Sequence, residues 1–468
     1  MSEEKSAAKV LQEKLFYEKK HGCEVMDDHE LALCDDFCEG YKEFLFQNKT
    51  EREVAAWAEQ TARENGFTPF DEFGGELEPG ARVYCNNRGK SLILCVKGKR
   101  PINEGVRIAA AHIDSPRLDL KQCPVYEESQ LGYFKTHYYG GIKKYQWPTV
   151  PLSLHGRICK ADGSYVDICL GEESGEPKFC ITDILPHLAG EQYQRKAGDL
   201  IAGEELNVLI GSRPFKGDDV SEKVKLNLLN ILFEKYGVTE RDFLAAELEL
   251  VPAYTVDDIG FDRSMIGGYG HDDRVCAYPA MQAILATDVP EYTCITVLTD
   301  KEEIGSDGNT GLNSAYFRYF VEDLARLEGF DGRDVLRHSK CLSADVNAAF
   351  DPTWAGAFEK NNASYLNRGV VVTKYTGARG KSSTSDASAE FVAFVKDMMD
   401  KNGVLWQSGE LGKVDGGGGG TVAMYIAALD VDVIDVGVPV LSMHAPYEIV
   451  SKIDVYMAYK AFMTFFNK

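Results

Sequence analysis

The sequence of 468 residues shows no membrane-spanning run, no CxxC pair, no excess of basic residues and no signal-peptide pattern. No apolar run approaches the roughly 18 residues of a membrane span. The twelve cysteines form no CxxC pair, and several lie inside apolar runs, as reduced core cysteines do. The 51 basic residues are outnumbered by 73 acidic ones, so neither nucleic acid nor an anionic membrane is an expected partner. The charged start, MSEEK, is not that of a signal peptide, and we expect a cytoplasmic protein.

The chain is long enough for more than one domain, because single cores stop growing near about 250–300 residues. Apolar runs that alternate with helical patterns predict an α/β domain formed by residues 1–119 and 251–468. Residues 120–250 instead carry short alternating strands between turn clusters. This change in the secondary-structure pattern predicts an inserted β-rich domain.

The stretch 293–306, TCITVLTDKEEIGS, joins a short apolar run to a pair of carboxylates. Residues 295–298 have the length and β-branched content of a buried strand. Open α/β sheets carry their chemistry at the carboxyl ends of such strands. Glu302 and Glu303 would lie there as like charges at close range, which is costly unless a cation lies beside them. A metal ion is the obvious candidate.

Three further apolar runs, which we interpret as strands, end in a histidine or an aspartate. The runs and their terminal residues are 106–111 with His112, 340–344 with Asp345, and 433–443 with His444. A lone carboxylate at a strand end is more often a helix cap. Four runs that end this way predict an oxygen and imidazole site suited to zinc, cobalt or manganese.

A two-metal hydrolase needs a carboxylate that bridges both ions, further ligands on each ion, and a carboxylate that deprotonates the attacking water. The candidate terminal ligands are His112, Asp345, Glu303 and His444. Asp272 or Asp273 is available as the bridge, and Glu302 as the base. Asp114 lies two residues beyond His112 and could accept the second N–H of that imidazole.

Together these segments resemble one known family, the aspartyl-aminopeptidase-type aminopeptidases with two zinc ions. The resemblance covers nearly the whole chain and rests on HIDSP at 112–116, Asp272 before a polar residue, DKEEIGS at 300–306, SAD at 343–345 and LSMH at 441–444. It implies the fold of di-zinc exopeptidases, which is a mixed, mostly parallel sheet flanked by helices. It also implies that the inserted β-rich domain mediates dimers.

The resemblance further implies a role for each candidate residue. The ligands are His112 and Asp345 for one ion, and Glu303 and His444 for the other. Asp272 would bridge the two ions, and Glu302 would be the general base, with Asp114 behind the first histidine. In such enzymes the peptide bond after the bridging aspartate is typically cis, which predicts a cis bond between Asp272 and Asp273.

In this family the dimers assemble into a tetrahedral dodecamer, and a histidine of the insert reaches a neighbour's active site to bind substrate. His187, in the segment ILPHL at 184–188, matches that position, although it also suits a structural loop histidine. Arg379 and Lys381 lie where the family shapes its substrate pocket. They are candidates to pair with an acidic substrate side chain, or they are solvated loop charges.

We therefore expect a cytoplasmic metallo-aminopeptidase with two zinc ions that removes N-terminal residues from peptides, acidic residues being a candidate class. Its expected partners are peptide substrates and copies of itself. One alternative is a carboxypeptidase or amidohydrolase on the same metal scaffold. Another is a catalytically silent oligomeric binding or assembly protein. The presence of Glu302 argues against the silent protein, because a scaffold has no need of a base.

Overall fold

The computed structural model describes residues 6–74, 77–377 and 379–468. The α-helices of these residues are α1 (Ala7–Leu15), α2 (Gly22–Val25), α3 (Asp28–Gln47), α4 (Glu51–Glu64), α5 (Lys223–Tyr236), α6 (His271–Leu285), α7 (Tyr316–Leu327), α8 (Gly332–Arg337), α9 (Ala389–Lys401), α10 (Ala423–Ala427) and α11 (Lys452–Phe466). Among the described residues, no helix combines the length and the apolar character needed to cross a membrane.

The strands form three sheets. In chain order they are β1 (Thr68–Pro69), β2 (Arg82–Asn87), β3 (Ser91–Val96), β4 (Val106–His112), β5 (Arg117–Glu128), β6 (Leu131–Tyr139), β7 (Leu152–Cys159), β8 (Tyr165–Leu170), β9 (Cys180–Ile181), β10 (Val208–Gly211), β11 (Ala246–Pro252), β12 (Asp257–Ile259), β13 (Met265–Gly268), β14 (Thr293–Thr299), β15 (Lys340–Ser343), β16 (Asn347–Ala348), β17 (Val370–Thr373), β18 (Trp406–Ser408), β19 (Asp432–Gly437), β20 (Pro439–Leu441) and β21 (Glu448–Ser451). The first sheet has the order β1-β2-β3-β14-β4-β15-β19-β17-β18, the second β8-β7-β11-β5-β6-β10-β9, and the third β12-β13-β21-β20-β16.

The central strands of the first sheet run parallel and end at one edge. β14 pairs with β4 so that Thr299 lies opposite His112. β15 pairs with the other side of β4, with Ser343 opposite Ala110, and β19 continues the parallel order. β3 and β17 pair antiparallel at the two flanks. The predicted mixed, mostly parallel sheet is confirmed, and the strand ends that carry the candidate residues meet at one edge.

Helices cover both faces of this sheet. Along β3, Leu92 and Leu94 are buried with residues of α3, α4, α6 and α11, whereas Ile93 and Cys95 are buried with residues of α7, α8 and α10. Successive side chains of a strand point to opposite faces, so a strand covered on both sides is apolar at every position. The continuous apolar runs of the sequence are explained by this double cover.

The second sheet takes its strands from residues 117–252 and packs against helix α5. It has an apolar core of its own, with buried residues from Leu118 to Leu250 that include the fully buried Trp147. Its short strands and turns account for the change in sequence pattern over residues 120–250. We propose that residues 120–250 form the inserted domain.

The segment 433–443 differs from the single strand that its apolar run predicted. β19 ends at Gly437 in the first sheet, and β20 begins at Pro439 in the third. A Cβ at Gly437 would lie 1.7 Å from the carbonyl oxygen of Asp345, so only glycine allows the two chains to approach this closely. Pro439 cannot donate a ladder hydrogen bond. The chain therefore changes sheets before it reaches His444.

Candidate metal centre

The first sheet brings three groups of candidate residues together. His112 is the last residue of β4 and is buried. Glu302 and Glu303 open a one-turn 3-10 helix that follows β14, and Asp345 follows β15. Donor atoms of His112, Glu302 and Asp345 all lie within 4.8 Å of one another. Side chains that follow three different strands thus converge on one place.

Asp272, near the start of α6, lies between the two histidines. Its Oδ1 lies 3.2 Å from Nε2 of His112, and its Oδ2 lies 3.1 Å from Nε2 of His444. Asp273 faces the backbone instead, because its Oδ2 accepts a hydrogen bond from the N–H of His112 at 3.3 Å. The geometry therefore favours Asp272 over Asp273 as the residue between the histidines. The peptide bond that joins these aspartates is cis, as predicted.

Both imidazoles are held through Nδ1. Nδ1 of His112 lies 3.0 Å from the carbonyl oxygen of Asp114, and Nδ1 of His444 lies 2.7 Å from the carbonyl oxygen of Gly141. A ring that donates from Nδ1 leaves Nε2 free as a ligand atom. Since both Nε2 atoms face Asp272, the two rings present their free nitrogens to a common point.

Asp114 connects His112 to the glutamate pair. Its carboxylate accepts hydrogen bonds from the backbone N–H groups of Glu302 at 3.1 Å and Glu303 at 3.2 Å. Its Oδ1 also lies 3.4 Å from Nδ1 of His112. Burial raises the pKa of Asp114, but the hydrogen bond and charge of His112 outweigh it and bring this pKa below its ordinary value. An ionised Asp114 thus holds both the ring and the glutamate backbone.

The other carboxylates crowd one another. Burial raises the pKa of Glu302 to about 7. Burial, followed by the charge of a neighbouring carboxylate, raises the pKa of Glu303 and of Asp345 well above the usual range. For Asp272, burial raises the pKa, but the two histidine rings beside its carboxylate oxygens outweigh this effect and lower the pKa. Anions this close together need a positive charge beside them to stay ionised.

The donor set fits divalent metal ions. Oε1 of Glu303 is buried, has no hydrogen-bond partner among the described residues, and lies 3.6 Å from Nε2 of His444. Donor atoms of His112, Asp272 and Glu303 form a second group within 4.8 Å of one another. Imidazole nitrogens and carboxylate oxygens are ligands of zinc. Two overlapping groups of such donors suit two neighbouring ions.

Three residues contact this cluster although the sequence did not suggest them. The carboxylate of Glu448, at the start of β21, accepts a hydrogen bond from the N–H of His444 at 2.6 Å. Tyr139, the last residue of β6, donates a hydrogen bond to Asp114 at 2.7 Å, and Gly141, just beyond this strand, holds the ring of His444. A lone glutamate among apolar residues was the available signal for Glu448. Nothing in the sequence relates the other two residues to the site.

The substrate-binding candidates lie in exposed positions. His187 is exposed in a one-turn 3-10 helix of the proposed insert. Arg379 is exposed and has a φ of 51°, and Lys381 pairs with Asp386 at 3.1 Å. Within the described part of the chain, none of these three side chains makes a hydrogen bond or ion pair with a candidate ligand. Their roles stay predictions.

A further group of possible metal donors lies at the junction of α4 with the second sheet. Donor atoms of Glu53, His155 and Cys169 lie within 4.8 Å of one another. The ring of His155, however, is already paired on both sides, with Glu53 at 2.7 Å and with Glu172 at 3.0 Å. Burial lowers the pKa of His155, but hydrogen bonds with Cys169 and the two glutamates raise it well above its usual value. This cluster is satisfied as a buried ion network.

Comparisons with known proteins agree with this fold. Residues 44–466 match the family described as aminopeptidase I zinc metalloprotease (M18). A protein of Clostridium acetobutylicum named probable M18 family aminopeptidase 1 is 48% identical over 460 residues, which cover 97% of this chain and 99% of that protein. The crystal structure of an M18 family aminopeptidase from Thermotoga maritima matches with a TM-score of 0.93 and 41% identity, over 97% of this chain and 100% of that chain. The mApe1 dodecamer of S. cerevisiae shares the fold with a TM-score of 0.75 and 20% identity, over 93% of this chain and 97% of that chain.

The family match and the fold place the chain among zinc metalloproteases. The chain belongs to the M18 family and is an aminopeptidase. The resemblance read from the sequence is confirmed.

Proposed function

We propose that two zinc ions bind at this cluster, one held by His112 and Asp345, the other by Glu303 and His444. Asp272 lies between them. The position of Asp272 carries the proposal, because each of its carboxylate oxygens faces the free nitrogen of a different histidine. When bound, the two ions would polarise the scissile carbonyl and lower the pKa of a water molecule, a role that cobalt or manganese could also fill.

Glu302 is the proposed general base. Its Oε2 lies 3.9 Å from Nε2 of His112, at the rim of the cluster, whereas Oε1 of the adjacent Glu303 is turned to His444. The two neighbouring glutamates therefore face different partners. Asp114 maintains this division, because it holds the backbone N–H groups of both. A base in this position can take a proton from water and return it to the leaving amine.

The substrate is a peptide with a free N-terminus. Its α-ammonium group is attracted to the carboxylates of the cluster, and this attraction accounts for cleavage at the N-terminal end of the substrate peptide. An acidic first residue would meet the loop of Arg379 and Lys381. The ammonium of Lys381 already pairs with Asp386 and lies 3.7 Å from the ring centre of Tyr375. The exposed Arg379 is therefore the better placed of the two to receive an acidic side chain.

The enzyme is proposed to work as a homo-oligomer in the cytoplasm. Large apolar side chains of the insert are exposed, among them Leu188, Ile231 and Phe233, and such surface supports burial against another copy. Dimers would assemble into a tetrahedral dodecamer in which His187 reaches a neighbour's site. The twelve free cysteines support a reducing compartment. Light scattering that shows monomers would remove the dodecamer and the role of His187.

Hydrolysis of unblocked and N-acetylated dipeptides, with and without a chelator, tests the activity. We expect cleavage of free-amine peptides only, lost with chelator and restored by zinc. Cleavage of acetylated peptides would indicate an amidohydrolase or carboxypeptidase. No turnover by a protein shown to hold two metal ions would indicate the silent assembly protein. Arg379→Ala should reduce cleavage after Asp and Glu while leaving cleavage after Ala unchanged.

A further inference from the structure

The end of β6 reaches from the second sheet into the metal cluster. Tyr139, which is 7% exposed, donates a hydrogen bond to Oδ2 of Asp114 at 2.7 Å. The same carboxylate holds the backbone N–H groups of Glu302 and Glu303 and lies beside the ring of His112. One phenol from the second sheet thus fixes the carboxylate on which the base and two ligands depend.

The next two residues of the chain contact the other half of the cluster. The carbonyl oxygen of Gly141 holds Nδ1 of His444 at 2.7 Å. A Cβ at Gly141 would lie 3.3 Å from that same nitrogen, and a Cβ at Gly140 would lie 3.0 Å from Oε2 of Glu303. Glycine at both positions lets the backbone approach the ligands this closely.

Tyr139 is itself held by the buried Arg117. The guanidinium lies 3.9 Å from the centre of the tyrosine ring, and the two residues are opposite each other in the pairing of β5 with β6. Arg117 also pairs with Glu51 of α4 at 3.2 Å and with Glu249 of β11 at 3.3 Å. The tyrosine is therefore anchored to both the helical layer and the second sheet, which gives its hydroxyl group a fixed position.

We propose that Tyr139, Gly140 and Gly141 form a positioning segment through which the second sheet completes the metal centre of its own subunit. The proposal rests on the two-zinc site described above. Tyr139 acts through Asp114, which lies beside the ring of His112 but contacts only the backbone of Glu303, so its main effect falls on the half of the centre that contains His112. Gly141 acts on the half that contains His444. If the segment only contributed packing, its substitution would affect both ions alike or neither.

Tyr139→Phe tests the first contact. The ring stays on Arg117, but the hydrogen bond to Asp114 is lost. Groups that orient metal ligands change metal affinity or activity by about 10- to 100-fold when they are removed. We expect one zinc equivalent to bind about 10- to 100-fold more weakly in chelator competition, and kcat to fall with little change in KM. Tyr138→Phe, at the neighbouring tyrosine that is 40% exposed, is the matched control.

Gly141→Ala tests the second contact. The backbone here is outside the left-handed region, so alanine can adopt it, but its Cβ presses on the ring of His444. We expect the other zinc equivalent to weaken. Asp345→Asn and Glu303→Gln each remove a proposed ligand of one ion, so they identify which equivalent each variant weakens.

The positioning role is overturned if Tyr139→Phe binds both zinc equivalents as tightly as the wild type. It is also overturned if the variant weakens both equally and melts at a lower temperature, as loosened packing would cause. Both outcomes can be told apart from a failure of the proposed function. If the proposed function were wrong, the wild type itself would bind fewer than two zinc ions or cleave no unblocked peptide, and both proposals would fall.

Discussion

The carboxylate of Glu448 accepts a hydrogen bond from the backbone N–H of His444 at 2.6 Å. His444 has a φ of 65°, in the left-handed region that residues other than glycine seldom adopt, and this bond fixes the backbone there. The other oxygen of Glu448 accepts from the N–H of Asp272 at 3.1 Å. One buried carboxylate thus joins the backbones of two candidate ligands that are far apart in the sequence.

Glu448→Ala should impair both stability and metal binding. The change leaves the buried N–H of Asp272 without a partner, at a cost of about 1–3 kcal/mol, and releases the partly buried N–H of His444 from its position. We expect a lower midpoint of denaturant unfolding and weaker binding of one zinc ion. Glu390→Ala, which removes an exposed carboxylate from the first turn of α9, is the control. Wild-type zinc affinity in Glu448→Ala would contradict the role of this carboxylate.

Gly270 and Gly329 offer a matched pair of substitutions. Their φ angles are 79° and 80°, so alanine costs about 1–2 kcal/mol of backbone strain at either position. A Cβ at Gly270 would also lie 1.5 Å from Nη2 of the fully buried Arg274, whereas a Cβ at Gly329 meets no heavy atom of the described residues within 4 Å.

Gly270→Ala should therefore destabilise the protein far more than Gly329→Ala. Because Gly270 directly precedes the helix that carries Asp272, its substitution should also lower the zinc affinity. Denaturant unfolding and zinc content of the two variants provide the comparison. Equal losses of stability would show that the guanidinium of Arg274 moves aside without cost.

The ion network around His155 predicts sensitivity to acid. Glu172 pairs with His155 at 3.0 Å and with Lys49 at 2.7 Å. Burial raises the pKa of Glu172, but the hydrogen bond from His155 and the charge of Lys49 lower it to about 2. This pKa is below the unfolded value of about 4.3. The pairing therefore stabilises the fold above about pH 4.5, and this stabilisation is lost as the pH falls toward about 2.

Glu172→Gln should lower the melting temperature at neutral pH, and its difference from the wild type should narrow below about pH 4.5. Asp167→Asn breaks the pair of Arg157 and Asp167 on β7 and β8, where the carboxylate is largely exposed. Such pairs contribute only about 0–1 kcal/mol, so this variant is the control. Thermal melts across the acid range provide the measurement. A difference that stays constant with falling pH would mean that Glu172 is not held ionised by its partners.

The strand-end residues could be predicted because of how the first sheet is built. A strand buried on both faces has a continuous apolar sequence. The residues that directly follow neighbouring parallel strands lie at the same edge of the sheet. His112, Glu302 and Asp345 were found in this way. His444 was found from the same signal, although the run before it forms two strands. The bend at Gly437 depends on a close approach to another segment, which periodicity does not reveal.

The contacts made by the second sheet could not be predicted. Nothing in the sequence around Tyr139 and Gly141 indicates that these residues contact Asp114 and His444. His155 pairs with Glu53 of α4, which lies 102 residues away in the chain, and no spacing in the sequence indicates this pair. Which side chains meet across two packed layers is decided by shape and charge pairing, and a single sequence carries no periodic signal for either.

The role of Glu302 as base is tested most directly by kcat and zinc content of Glu302→Gln, measured beside Glu303→Gln. We expect Glu302→Gln to keep both zinc ions and its melting temperature while kcat falls by about 10²- to 10⁴-fold, the usual contribution of a general base. Glu303→Gln should instead lose zinc. If Glu302→Gln keeps a kcat within a few-fold of the wild type, or loses zinc as Glu303→Gln does, then Glu302 is not the base. The proposal that Glu302 is the base and Glu303 a metal ligand would then be wrong.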